Sequence, residues 1–418
     1  MLLYIHVPFC RAKCRYCAFY SRPGCDDAAM GAWARAIDAD LRAWGEALRG
    51  EAELAPGFLA DGTDGTYGRH GVFSSGRGPL RPRVTSVFFG GGTPSLLSPA
   101  LLGRLLDRAS REFTFADGIE ISMEANPESI TPEKAAGFRA AEVSRVSLGV
   151  QALDDSLLAA VGRVHSRADA LRAYEGLRRA GFDSVGLDFI WGLPGESLAS
   201  WRAQLEEAAT LRPDHVSCYG LTLEEGTPLF AERDSLDLPG EDVQAAMYAG
   251  CGELLEQHGY RQYEISNYAL PGHECRHNLG YWLGEDYLGL GPSAVSSMRG
   301  LRWSQPADLA EWLAAPRGQR PGPELCEELS FREQAEELVM LRLRTARGLP
   351  LEEYRRFTGR DFAADNAALI AGLCAEGLAR MESGPEGPRF ALTRPGMLIS
   401  NAVIEQCFES IPNAPASA

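Results

Sequence analysis

Apolar residues in this chain fall into short runs that recur with a regular partner. β-Branched and other apolar residues dominate 2–7, 84–89, 119–123, 143–150, 185–190 and 215–219, lengths that suit strands. Between them, at 28–48, 99–113, 132–141, 167–180 and 198–211, apolar positions return every three or four residues, the spacing of one helix face. Strands alternating with helices form βαβ units with right-handed crossovers and parallel strands. Six such strands predict an α/β fold, a partial (β/α)6 barrel. Barrel chemistry gathers at the C-terminal ends of the strands.

The rhythm stops after Leu221. An amphipathic helix is expected over 240–260, then a stretch rich in Tyr, Asn and Trp up to Trp303. A Pro/Gly-rich joint at 316–323 leads into a smaller, mainly helical tail with a short β-ribbon near 379–392, the pattern of a winged-helix-like domain. The expected domains are 1–235 for the barrel, 236–315 for its extension and 324–410 for the tail. Residues 51–83 break the first of these with Gly, Pro, Ser and Asp and no sustained period, as a mobile surface insertion does.

Composition narrows the function classes. The 418 residues are 45% hydrophobic and 23% charged, ordinary for a globular protein, and the net charge of -16 argues against a surface that neutralises nucleic-acid phosphates. No apolar stretch approaches the ~18 residues that span a bilayer, and the opening residues carry neither a basic leader nor a cleavage site. Of ten cysteines, Cys218, Cys251, Cys275, Cys326, Cys374 and Cys407 are scattered singly, so no disulfide framework is expected and a reducing cytoplasm is.

The remaining cysteines carry chemistry. Cys10, Cys14 and Cys17 form a C-x3-C-x2-C run. Three thiolates from one loop are one short of the four a cubane iron–sulfur cluster takes, which leaves one iron open to a ligand. Zinc completed by Cys25 or His6 is the alternative. The expected strand ends add Gly91, Gly92 and Thr93 of a Gly-Gly-Gly-Thr-Pro turn, then Glu124, Gln151, Arg163 twelve residues later, and Asp188. Singly, each polar residue is as well explained by a cap or a loop hydrogen bond. On one rim they suit a ligand with ribose hydroxyls, a carboxylate and an amino group. Further on, His277, Asn278, Tyr281 and Trp282 place an imidazole beside two aromatics. By themselves these read as a core histidine in aromatic packing, though His is a common haem ligand and flat rings stack on macrocycles.

The run from Tyr4 through the three cysteines, the Gly-Gly-Gly-Thr-Pro turn, Ser122-Met-Glu-Ala-Asn-Pro127, Gly149-Val-Gln151 and Asp188 before Gly-Leu-Pro-Gly resembles the radical S-adenosylmethionine (SAM) superfamily. Within it, the chain is similar to the branch that contains oxygen-independent coproporphyrinogen III oxidase and the HemW-type haem chaperones. The resemblance runs from Tyr4 to about Asn401. It implies a radical SAM barrel with a [4Fe–4S] cluster on Cys10, Cys14 and Cys17. It also implies SAM contacts from Tyr4, Tyr16, Gly91, Gly92, Thr93, Glu124, Gln151, Arg163 and Asp188. Tyr16 is equally suited to packing against the cluster. His277, Asn278, Tyr281 and Trp282 look like the haem-binding motif of the chaperone branch. One departure is Pro292-Ser293-Ala294, where a small-residue run ending in histidine is expected.

Oxidase members carry a further cysteine after the third ligand and an extension before the first strand. Here Ala18 follows Cys17 and the chain opens almost in the strand. The resemblance therefore implies a haem chaperone rather than a decarboxylase. It implies haem, haem-accepting proteins and an electron donor as partners, peripheral contact with a membrane acceptor at most, no nucleic acid, and a monomer or dimer.

Overall fold

The computed structural model describes residues 1–24, 26–54, 81–384 and 387–415. Six strands follow the expected order: β1 (Leu2–Val7), β2 (Arg83–Gly91), β3 (Thr114–Ala125), β4 (Arg145–Gln151), β5 (Ser184–Trp191) and β6 (His215–Gly220). They alternate with α1 (Asp27–Leu54), α2 (Pro99–Glu112), α3 (Pro132–Ala140), α4 (Arg167–Ala180) and α5 (Leu198–Thr210). The helix starts are written locally. Ser98 accepts from the Leu101 N–H at α2, Ser166 and Asp169 form a capping box at α4, and Gly181 ends α4 at φ 78°. The expected insertion lies outside the described residues except at its edges, where α1 runs on to Leu54 and β2 begins.

The sheet does not end at the sixth strand. After α6 (Glu241–Gln257) come β7 (Arg261–Gln262), β8 (Asn267–Ala269), α7 (Arg276–Trp282), β9 (Tyr287–Leu290), β10 (Val295–Met298), β11 (Leu301–Ser304) and β12 (Cys326–Glu328). The sheet order is β12-β11-β10-β9-β1-β2-β3-β4-β5-β6-β8-β7. Strand β9 lies parallel to β1 (Leu2 opposite Tyr287), giving a seventh parallel strand, and antiparallel strands extend both edges. Two- to four-residue strands leave too few alternations for sequence periodicity to register.

The faces of the barrel sheet differ. Ile5, Val87, Met123, Leu148, Leu187 and Val216 point outward into one core with Trp33 of α1, Leu105 of α2, Phe138 of α3 and Trp201 of α5. Burying each such side chain contributes ~1.5–3 kcal/mol. The inward face carries Glu124, Arg145, Ser147, Asp188, His215 and Ser217. A polar lumen departs from the layered apolar filling of closed eight-stranded barrels.

The tail has its own core around Tyr354, Phe362 and Phe390. Helices α8 (Phe331–Leu343), α9 (Leu351–Thr358), α10 (Ala367–Ala375) and α11 (Ser400–Phe408) surround a three-stranded antiparallel sheet. It comprises β13 (Leu349–Pro350), β14 (Ala379–Gly384) and β15 (Gly387–Leu392), in the order β13-β15-β14. This is the mainly helical tail with a β-ribbon that the sequence predicts.

Candidate functional site

At the C-terminal rim the loop after β1 carries the three thiols. A short parallel ladder between Phe9–Cys10 and Arg22–Pro23 holds the loop's two ends together. The glycine turn after β2 packs against its base, with the Gly92 N–H donating to the Val7 carbonyl at 2.8 Å. Side chains would not fit there. A Cβ on Gly91 (φ +107°) would lie 2.4 Å from the His6 ring, and one on Gly92 would lie 2.6 Å from the Phe9 carbonyl oxygen.

A hydrogen-bonded chain links two of the sulfurs. Thr93 Oγ1 donates to Cys10 Sγ at 3.5 Å and accepts from Asn126 Nδ2 at 3.0 Å. Asn126 Oδ1 accepts from Arg163 Nη2 at 2.8 Å, and Arg163 Nη1 donates to Cys14 Sγ at 3.3 Å. Arg163 Nη2 also donates to the Gly149 carbonyl at 2.9 Å. Donors already aimed at sulfur suit thiolates, which accept charge-assisted bonds. The donor set therefore fits an iron–sulfur cluster. His6, one of the two zinc alternatives, is committed elsewhere: Nδ1 meets the Tyr4 hydroxyl at 3.1 Å and Nε2 the Tyr20 carbonyl at 3.0 Å. The other, Cys25, lies outside the described residues.

Cys10, Cys14, Cys17, Tyr16, Gly91, Gly92, Glu124, Gln151, Arg163 and Asp188 all face one cavity of about 520 Å³. Gln151 reaches it from a β-bulge opposite β5, with φ at 67°, a backbone region that costs a non-glycine residue of order 1–3 kcal/mol. Glu124 accepts from the Gly91 N–H at 3.0 Å. Burial, and then the nearby Asp188 charge, push the Glu124 carboxyl up to about 8. Asp188 is also raised by burial, against hydroxyl bonds from Ser217 (2.6 Å) and Ser147 (2.9 Å). Asn126, which ties Thr93 to Arg163, was not among the expected contacts. Its signal is position, two residues beyond Glu124 at the same strand end.

Tyr4 and the second motif lie deeper. Helix α7 crosses the N-terminal ends of β1–β3: a Cβ on Gly280 would meet the Leu2 side chain at 2.6 Å. Glu120 of β3 accepts from the Arg276 and His277 N–H groups at 3.1 and 3.3 Å. His277 is 2% exposed, stacked on Phe88 with centroids 5.0 Å apart. Its Nδ1 meets Ser86 Oγ at 2.7 Å and its Nε2 the Tyr281 hydroxyl at 3.2 Å. Burial pulls the His277 ring down to about 3, so it is neutral. His277, Asn278, Tyr281 and Tyr4 line an inner chamber of about 240 Å³, and Trp282 lies outside it. From the tail, Arg342 donates to the Trp282 and Leu283 carbonyls at 2.5 and 3.2 Å and pairs with Glu353. The C-terminal end of α7 is thus held by the tail.

A thiol loop over the rim of a parallel barrel, backed by a glycine turn and carboxylates, is the build of a radical SAM protein. Residues 78–208 match the Radical SAM superfamily, and residues 329–399 match the HemN C-terminal domain. The chain is 37% identical over 407 residues to the heme chaperone HemW of Mycobacterium tuberculosis, covering 96% of this chain and 93% of that one. It is 30% identical over 408 residues to heme chaperone HemW of Bacillus subtilis, covering 96% and 97%. The chain belongs to the HemW family of the radical SAM superfamily, and this membership implies SAM and a [4Fe–4S] cluster. Among solved structures, coproporphyrinogen III oxidase (HemN) of Escherichia coli shares its fold, with a TM-score of 0.75 at 22% identity over 97% of this chain and 89% of that one.

Proposed function

We propose that the chain binds haem and delivers it to acceptor proteins, with a [4Fe–4S] cluster on Cys10, Cys14 and Cys17 and SAM at the rim. The observation that carries this reading is likeness over 96% of the chain to proteins named heme chaperone. Ala18 after Cys17, where the oxidases have a further cysteine, supports it.

When bound, cluster and SAM supply a one-electron donor and a sulfonium that together yield a carbon radical. This chain's residues bind and orient around them. Gly91, Gly92 and Thr93 admit a close backbone approach. Arg163 offers a guanidinium to a carboxylate, Glu124 and Asp188 accept from hydroxyl or amino groups, and Gln151 adds an amide. Tyr16 flanks the cluster, and Tyr4 supports the site from the lumen.

His277, Asn278, Tyr281 and Trp282 are assigned to haem. A neutral His277 has a lone pair for iron. Both of its nitrogens now face hydroxyls, so ligation requires α7 to shift from the floor. Among the described residues no helix is long and apolar enough to cross a membrane. The reading takes the chain as cytoplasmic, a monomer or dimer, supplied by a separate electron donor and at most in peripheral contact with a membrane acceptor.

The test is haem titration of anaerobically reconstituted protein followed at the Soret band, with His277→Ala beside it. Stoichiometric binding that is lost or spectrally altered in the variant is expected, and no specific binding by the wild type overturns the reading. Multiple-turnover vinyl formation from coproporphyrinogen III with SAM and a reductant would establish the oxidase instead.

A further inference from the structure

The lower half of the barrel holds a charge that the rim chemistry does not use. Arg145 opens β4 and is 3% exposed, yet its guanidinium makes no hydrogen bond or ion pair with any described residue, and its Nε is fully buried. It lines the inner chamber. Two other buried groups of that chamber are also short of partners: His215 Nδ1, on a residue 1% exposed, and Asn267 Oδ1, on one 6% exposed. Between Arg145 of β4 and His215 of β6, Gly186 of β5 keeps the space open, since a Cβ there would lie 3.3 Å from His215 Nδ1 and 3.5 Å from Arg145 Nη2.

An unpaired guanidinium in such a place carries a desolvation cost of several kcal/mol, and buried polar atoms without partners mark a missing water, ion or ligand. Asp188 and Glu120 stabilise the Arg145 charge from a distance. Their oxygens are hydrogen-bonded elsewhere, Asp188 to Ser147 and Ser217 and Glu120 to the start of α7, so the guanidinium's own donors stay unfilled.

We propose that the inner chamber binds a small organic monocarboxylate, with Arg145 as its counter-charge. The planar guanidinium fork matches a carboxylate, and the neighbouring Asp188 disfavours a dianion such as phosphate. Phe88, Tyr4, Tyr263 and Tyr281 supply ring surface for a short apolar remainder. The chamber's 240 Å³, under half of the rim cavity's 520 Å³, suits a compact acid.

The experiment is thermal unfolding of the reconstituted full-length chain, without haem, in sodium propionate and in sodium chloride at equal ionic strength. The wild type is expected to melt at least ~2 °C higher in propionate. Arg145→Met should abolish that difference and Arg145→Lys reduce it. Equal melting in the two salts, or a difference that survives Arg145→Met, overturns the proposal and leaves Arg145 as an internal counter-charge of the lumen. If Arg145→Met does not fold, Asn267→Leu decides. It keeps the guanidinium but narrows the chamber and removes one polar lining atom, so an undiminished propionate effect in it is equally fatal.

Discussion

The two ends of this barrel are built on opposite principles. At the C-terminal rim the functional side chains gather at strand ends, in loops and on one bulge, and are aimed by neighbours: Thr93 at Cys10, Arg163 at Cys14, the Gly91 N–H at Glu124. At the floor, a helix of seven residues closes the lumen, and its His277 is buried and hydrogen-bonded to the wall. The rim is pre-organised to receive a ligand. The floor must rearrange before His277 meets anything as large as haem. Two motifs of equal prominence in the sequence can therefore differ completely in readiness.

The comparison breaks most sharply at the thiols. Cys14→Ala should abolish cluster assembly, read as iron and sulfide content, whereas His277→Ala should leave both unchanged. Equal iron loss in the two variants would mean that the ends are not independent. Next in size is the latch on α7. Arg342→Ala removes an ion pair with Glu353 and the donors to two helix carbonyls, and should cost ~3 kcal/mol in chemical denaturation, the low end for a buried pair because Glu353 is partly exposed. It should also speed amide exchange in α7.

At the rim, Gly92→Ala drives a methyl against the Phe9 carbonyl and should lose ~1–3 kcal/mol, with weaker SAM binding by calorimetry. Arg163→Lys keeps the charge but cannot hold Cys14, Asn126 and Gly149 at once. A loss of SAM affinity of about tenfold, ~1.4 kcal/mol, with the cluster retained, is the expected outcome.

The most gradual effect, spread over several pH units, is that of pH. The Glu124 carboxyl titrates near 8 in the folded chain against 4.5 as its ordinary value, so the folded state binds the extra proton. Its stabilising contribution is complete below 4.5 and is lost as pH rises through about 8. In cluster-free protein, stability should fall across that window by less than ~1.4 kcal/mol per pH unit from this group. Glu124→Gln should flatten part of the slope, because Glu196 and Glu264, both pushed up to about 7 by burial, act in the same direction.

What the sequence revealed follows the same division. The six strands were legible because their outward faces are runs such as Val146, Leu148 and Val150, and helix starts such as Ser166 with Asp169 are encoded locally. The rim residues were legible because they share the strand ends. The polar residues lining the lumen were hidden in plain alternation. Arg145 and Ser147 alternate with apolar residues in the same run that leads to Gln151, and below the strand end nothing marks them out. The placement of α7 at the floor was not legible at all. It depends on Glu120, more than 150 residues earlier, and on Arg342, 60 residues after Trp282.

That dependence has a practical side. The joint at 316–323 invites a cut that would yield the barrel alone. Such a fragment would keep every group around the rim cavity yet lose Arg342, leaving the last turn of α7 to fray and the lumen floor open to solvent. Evolutionary exchange of one tail for another faces the same constraint, since any replacement must bring hydrogen-bond donors to the same two carbonyls.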